Sequence, residues 1–265
     1  MVTQERQTID PAALDAFIEA LRGPVIRPGD ADYDAARTVR NGLIDRRPAL
    51  IVRPTGTADV VDAVSFAREH QLSLSVRGGG HNVAGNAVND DGLVIDLSSM
   101  RGVFVDPARR IARAQGGATW GDVDRETQRF GMSVPGGVVS TTGIGGLTLH
   151  GGLGHMRRKH GLSIDNIISV EIVTADGEVL TASEDENTDL FWAVRGAGSN
   201  FGVVTSFEFR MHPMGPMVWL SAVAYDLADG ESVLRGFRDL VAASPDELSP
   251  IALQWGIPAV DAFPA

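Results

Sequence analysis

Three consecutive glycines close a short alternating stretch of this chain. Leu72, Leu74 and Val76 are apolar at every second position, and Arg77-Gly78-Gly79-Gly80-His81-Asn82 follows. Period-two alternation reads as a strand. A strand that runs into Gly-Gly-Gly has a backbone free to take φ > 0, with no side chain to obstruct a ligand. Such a loop can turn successive N–H groups toward an anion, as nests do for phosphates. Arg77 sets a cation beside it and Asn82 an amide. Taken alone, the loop is equally a tight turn.

Two later glycine-rich stretches shift the balance. Glycine supplies 31 of 265 residues, against about 7% in an average protein, and it is clustered. The second cluster runs over 136–154 and carries Ser140, Thr141 and Thr142 ahead of Gly143, Gly145 and Gly146. Small hydroxyl side chains beside glycines offer N–H and O–H donors to phosphate oxygens. Glycine also permits close approach of a flat ring. The third cluster is Gly196-Ala197-Gly198-Ser199-Asn200-Phe201-Gly202. Three such stretches in one chain point to a large phosphate-containing cofactor.

Between them the pattern mixes helices and strands. A helix is expected over 11–21, opened by Asp10-Pro11. A strand over 49–52, a helix over 58–70 capped by Thr57, and the strand over 72–77 make a βαβ-sized unit. The glycine loop follows the second strand. A dinucleotide-binding Rossmann unit has its loop after the first, so a nicotinamide-dependent dehydrogenase is the weakest of three readings. Strands are expected over 93–97, 103–105 and 111–115. Thr119 with Asp122 forms a capping box for a helix over 120–130. Strands over 167–174 and 179–182 flank the hairpin turn Ala175-Asp176-Gly177-Glu178. A short helix over 189–194 puts Trp192 in the core, and a strand covers 203–211. Pro213 and Pro216 mark a boundary. A strand over 218–225, a helix over 231–241 and a strand over 250–255 follow.

Composition narrows the function. Net charge is −11, which argues against a nucleic-acid partner, because that affinity comes from Lys and Arg. The chain has no cysteine, so disulfides, thiolate nucleophiles and Cys-held metals or clusters are excluded. His150, His155 and His160 fall five apart and fit no zinc pattern, so no metal is expected. Residues 1–10 lack the apolar core of a signal peptide, and no apolar run reaches the ~18 residues of a membrane span. A cytoplasmic protein without a membrane partner is the default.

The motifs resemble those of a known family. Arg77-Gly78-Gly79-Gly80-His81-Asn82 is similar to the flavin-attachment loop of FAD-linked oxidoreductases of the vanillyl-alcohol oxidase superfamily, in the berberine-bridge-enzyme-like group. Gly143-Ile144-Gly145-Gly146 matches that group in order and spacing. So do Arg158-Lys159-His160-Gly161-Leu162 with Asp165-Asn166, and Gly198-Ser199-Asn200-Phe201-Gly202-Val203-Val204-Thr205. The likeness runs over about 48–213. It implies an α+β, PCMH-type FAD-binding domain of two α/β subdomains over 45–213, preceded by an N-terminal helical segment over 1–44. An incomplete substrate-binding domain over 214–265 would begin an antiparallel sheet with a helix.

By this resemblance His81 is joined covalently to the flavin 8α-methyl carbon, and a neutral imidazole is a fit nucleophile. Gly78, Gly79 and Gly80, flanked by Arg77 and Asn82, would wrap the pyrophosphate. Ser140, Thr141, Gly143, Gly145 and Gly146 would line the pyrophosphate and ribityl chain, and Val203 and Val204 would reach the adenine or ribose. The implied activity is hydride transfer from a C–OH or C–N carbon of a small-molecule substrate to flavin N5, with O2 as acceptor. No catalytic residue is assigned. The chain departs from the family at Val139, where plant members carry a second, cysteine attachment, and at His160, where Tyr is usual. It also stops soon after its second module begins. The competing reading is therefore a catalytically incomplete FAD-binding fragment.

Overall fold

The structure, a computed structural model, describes residues 9–254 and divides into two compact units, Met1–Pro216 and Met217–Ala265. The first opens with α1 (Pro11–Ala20), whose N-cap Asp10 accepts the N–H of Ala12. Then come β1 (Val25–Ile26), α2 (Tyr33–Arg37), β2 (Leu50–Val52), α3 (Thr57–Glu69), β3 (Leu74–Arg77) and β4 (Leu93–Asp96). The four strands form one sheet in the order β1-β2-β4-β3, with β4 parallel to both its neighbours. The expected βαβ unit is present, but β4 inserts between its two strands. Leu50, Ile51, Val52, Leu93, Val94 and Ile95 are all buried, as a sheet covered on both faces requires.

A second sheet is antiparallel. It contains β5 (Val103–Asp106) and β6 (Ile111–Gln115). Helix α4 (Trp120–Thr127) and strand β7 (Met132–Ser133) follow, then α5 (Ile144–Thr148) and α6 (Arg157–His160). The sheet is completed by β8 (Ile167–Val173), β9 (Val179–Ser183) and, after α7 (Thr188–Ala197), β10 (Val203–Arg210). Its order is β5-β6-β10-β8-β9, and β11 (His212–Pro213) pairs separately with β7. The Asp176-Gly177 turn closes β8 onto β9 as its sequence demands, with Gly177 at φ +83°. The Thr119/Asp122 capping box opens α4, also as expected.

The two sheets flank α3. Val60, Ala63, Val64, Phe66 and Ala67 of that helix pack with Leu50, Leu93 and Ile95 of the parallel sheet and with Val173 and Val203 of the antiparallel one. The other face of the antiparallel sheet carries Phe207 and Phe209 against Trp120, Val123, Phe191 and Val194. Each such large apolar side chain contributes about 1.5–3 kcal/mol when fully buried. The result is the mixed α+β architecture of two subdomains.

Several local expectations fail for identifiable reasons. Thr57 does not cap α3: its hydroxyl donates to Glu171 Oε1 at 2.7 Å, and Gly56 takes the cap position. Trp192 is 76% exposed, because Phe191 and Val194 already set the buried side of α7. In the second unit α8 (Gly230–Ala243) forms, but 218–225 and 250–254 pair with nothing and take no regular structure among the described residues. An alternating stretch becomes a strand only where another strand supplies its ladder. Residue 255, the end of the last expected strand, lies outside the described residues. Among the described residues no helix is long and apolar enough to cross a membrane.

Candidate active site

The first two glycine stretches meet. A Cβ on Gly79 would stand 2.2 Å from the Gly143 nitrogen, and one on Gly143 would stand 2.2 Å from the Gly79 nitrogen. No side chain fits at either place, so the crossing of these backbones requires glycine twice. Gly80 follows at φ +69°, the left-handed region that glycine enters freely. The N–H groups of Gly79, Gly80 and His81 find no acceptor among the described residues. They border a cleft of about 290 Å³ lined by Thr38, Arg40, Arg77, Asp96, Arg101 and Thr141, with Gly78, Gly79 and Gly80 among the rest. It lies at the carboxyl ends of the parallel strands β3 and β4, the usual ligand side of such sheets.

His81 stands at the junction. Its Nε2 is 3.1 Å from Thr141 Oγ1 and its Nδ1 3.2 Å from Thr142 Oγ1. A neutral imidazole has one N–H and one bare nitrogen, so one hydroxyl accepts and the other donates. Burial, and after it the charge of Arg40, hold His81 below the ordinary imidazole value. The ring is thereby kept neutral and nucleophilic.

The remaining expected residues divide. Arg77 turns into the fold: its NH1 donates to the Ala36 and Thr38 carbonyls and its NH2 to Asp96 Oδ2 at 2.5 Å. Asn82 folds back on its own loop, its Oδ1 accepting the Asn86 N–H at 3.0 Å. Ser140 is exposed, and its carbonyl accepts the Gly121 N–H at 2.8 Å. Gly145 is buried beneath the cleft wall, with Gly116 O 3.3 Å from its Cβ position, whereas Gly146 faces open space. The third stretch behaves differently. A Cβ on Gly198 would meet Leu149, and one on Gly202 the Val173 carbonyl. Val203 and Val204 bury their side chains in the two cores. That stretch reaches the others through Gly116, whose Cβ position lies 2.3 Å from the Val204 carbonyl.

Sequence reasoning missed Asp96, Arg40, Arg101, Ser98 and, as a cleft residue, Thr119. Asp96 pairs in register with Arg77 and is fully buried. Burial alone would raise its carboxyl. The Arg77 hydrogen bond and charge, with Arg53 at 2.8 Å and the Ser98 N–H, instead bring it below the usual carboxylate range. A charged residue closing an otherwise apolar strand was one legible signal. The Gly116-Gly117 pair ahead of the capping box was another: a Cβ on Gly117 would fall 1.7 Å from the Leu97 carbonyl.

Backbone donors without acceptors, hydroxyls and a glycine crossing with no room for a side chain fit a dinucleotide's phosphates, and a neutral imidazole beside them fits a flavin ring. Comparison with known proteins agrees. The family described as an FAD binding domain matches residues 48–183. An FAD-linked oxidoreductase of Dictyostelium discoideum is 39% identical over 239 residues, 89% of this chain and 52% of that protein. The (R)-6-hydroxynicotine oxidase of Paenarthrobacter nicotinovorans is 41% identical over 237 residues, 87% of this chain and 51% of its own. Among solved structures, 6-hydroxy-D-nicotine oxidase of Arthrobacter nicotinovorans superposes with a TM-score of 0.80 at 39% identity, covering 83% of this chain and 49% of that one. A xylooligosaccharide oxidase from Myceliophthora thermophila gives 0.72 at 35% identity, over 76% and 43%. The chain thus spans about half the length of the relatives it matches. On the family match and the site together, it belongs to the FAD-binding-domain family of the FAD-linked oxidoreductases, with berberine-bridge-like, nicotine and carbohydrate oxidases among its structural neighbours.

Proposed function

We propose that this chain holds FAD along the cleft, tethered through His81, as the cofactor half of an oxidase acting on a small molecule. The observation that supports it most is the Gly79–Gly143 crossing with His81 clamped between two threonine hydroxyls beside it. When bound, FAD supplies the acceptor for a hydride from a carbon bearing oxygen or nitrogen, and O2 takes up the electrons.

The chain's own residues hold and orient. Gly78, Gly79 and Gly80 receive the pyrophosphate on their N–H groups, and Ser140, Thr141, Gly143, Gly145 and Gly146 form the facing wall. Val203 and Val204 have only main-chain atoms left for the adenosine end. Arg77 and Asn82 shape the loop from behind. Thr141 and Thr142 fix the His81 ring, and burial keeps it uncharged. In this reading 1–44 is the N-terminal segment of the FAD domain, 45–213 binds the flavin, and 214–265 belongs to a substrate-binding domain.

Acid precipitation tests the reading. Flavin should stay with the precipitated wild-type protein and pass into the supernatant from H81A, whose melting curve should be little changed. Colourless wild-type protein with no affinity for added FAD would remove the proposal. Acid-stable flavin in H81A would remove the His81 tether alone.

A further inference from the structure

We propose that Arg40 is the cation that engages the diphosphate of a dinucleotide in this cleft, while Arg77, which the sequence motif nominates, positions the segment that carries it. This rests on the FAD reading and adds to it a residue outside the family's motifs.

Three arginines line the cleft: Arg40, Arg77 and Arg101. Two are engaged by the fold. Arg77 is 8% exposed and is held by two carbonyls and Asp96. Arg101 forms a fork with Asp122, at 2.9 Å through Nε and 2.7 Å through NH2. The Arg40 guanidinium meets no carboxylate or carbonyl among the described residues and is open to solvent. A guanidinium with all its donors available is the group suited to bidentate contact with phosphate oxygens.

Its placement is built in. The Arg40 main-chain N–H donates to the Gly80 carbonyl at 3.1 Å, which ties residue 40 to the glycine loop. The Ala36 and Thr38 carbonyls just before it are the ones that Arg77 grips. Arg77 therefore aims Arg40 while Asp96 fixes Arg77. The triad of Arg53, Asp96 and Arg77 holds two cations on one carboxylate, which adds positive potential behind the loop. The influence of Arg40 on His81 is consistent with a guanidinium near the imidazole end of the cleft.

The test uses H81A protein, from which flavin can be removed, titrated with ADP, adenosine and FAD. Losing one charge-assisted hydrogen-bond partner should weaken ADP and FAD by about 10- to 100-fold in the R40Q variant of H81A. Adenosine should bind as before, and R40K should recover part of the loss. The ADP difference should shrink as salt is raised, because this cation is exposed. ADP and FAD binding unchanged by R40Q would overturn the proposal and leave the FAD reading standing. Protein that binds neither ADP nor FAD before Arg40 is changed would overturn both.

Discussion

Two histidines of this chain sit in basic, glycine-containing surroundings, and burial draws both below the ordinary imidazole value. Their neighbourhoods differ in one respect. Around His212 the ring and the amide beside it bond to groups of the protein itself. Its ring stacks on His160 at 3.8 Å between centroids and 22° between planes. Its Nε2–H donates to Asn166 Oδ1 at 2.7 Å, and Asn166 Nδ2 donates in turn to the His160 and Leu162 carbonyls. Around His81 the hydroxyls of Thr141 and Thr142 answer the ring, but the N–H groups of Gly79, Gly80 and His81 itself are left open along a cleft. Both regions carry family motifs. Unanswered donors, more than residue types, separate a surface made for a ligand from one made for packing.

The contrast can be broken most forcibly at Asp96. Asp96→Ala leaves the buried Arg77 guanidinium without its carboxylate and should cost about 3–5 kcal/mol in urea unfolding, with flavin lost as the loop and residues 36–40 come free. Next in size is Gly79→Ala. Its methyl has no room against Gly143, so the two loops must part, at about 1–3 kcal/mol. Flavin content of the purified variant should fall far more than its melting temperature suggests. An unaffected flavin content would mean that the crossing is packing, like the His212 region.

The smallest effect is a pH dependence on the His212 side. Burial, the His160 ring, and Arg210 and Arg110 bring His212 down to about 4. The unfolded chain therefore takes up a proton between its ordinary value near 6.5 and 4 that the folded chain does not. Stability rises with pH through that window and is fully present above it. For a partly exposed ring the contribution is about 1 kcal/mol after screening. Chemical denaturation of H212Q between pH 4 and 7 should show a flatter slope than wild type. Flavin retention at pH 6.5 and above should be unaltered.

How much of this was legible beforehand follows the same division. Local chemistry could be read: the Thr119 capping box, the Asp176-Gly177 hairpin and the Gly-Gly-Gly loop each act through neighbours in sequence. What depends on a distant partner could not. Arg77 looked like a phosphate ligand because the sequence does not reveal that β3 lies beside β4, with Asp96 in register. The same lack of a partner explains 218–225, which alternates yet forms no strand. Trp192 looked like core because size alone does not say which side of α7 faces inward. Arg40 drew no notice because nothing in its own stretch, Thr38-Val39-Arg40-Asn41-Gly42, marks it apart from the loop 40 residues onward that it meets.

Amide hydrogen exchange, with and without FAD, tests most directly whether the open backbone of this loop is what grips the cofactor. The account predicts that the amides of Gly79, Gly80 and His81, which have no acceptor among the described residues, become protected when FAD is bound, while the amides around His160 and His212 do not change. Protein that binds FAD and leaves those three amides exchanging at their free rate would contradict it.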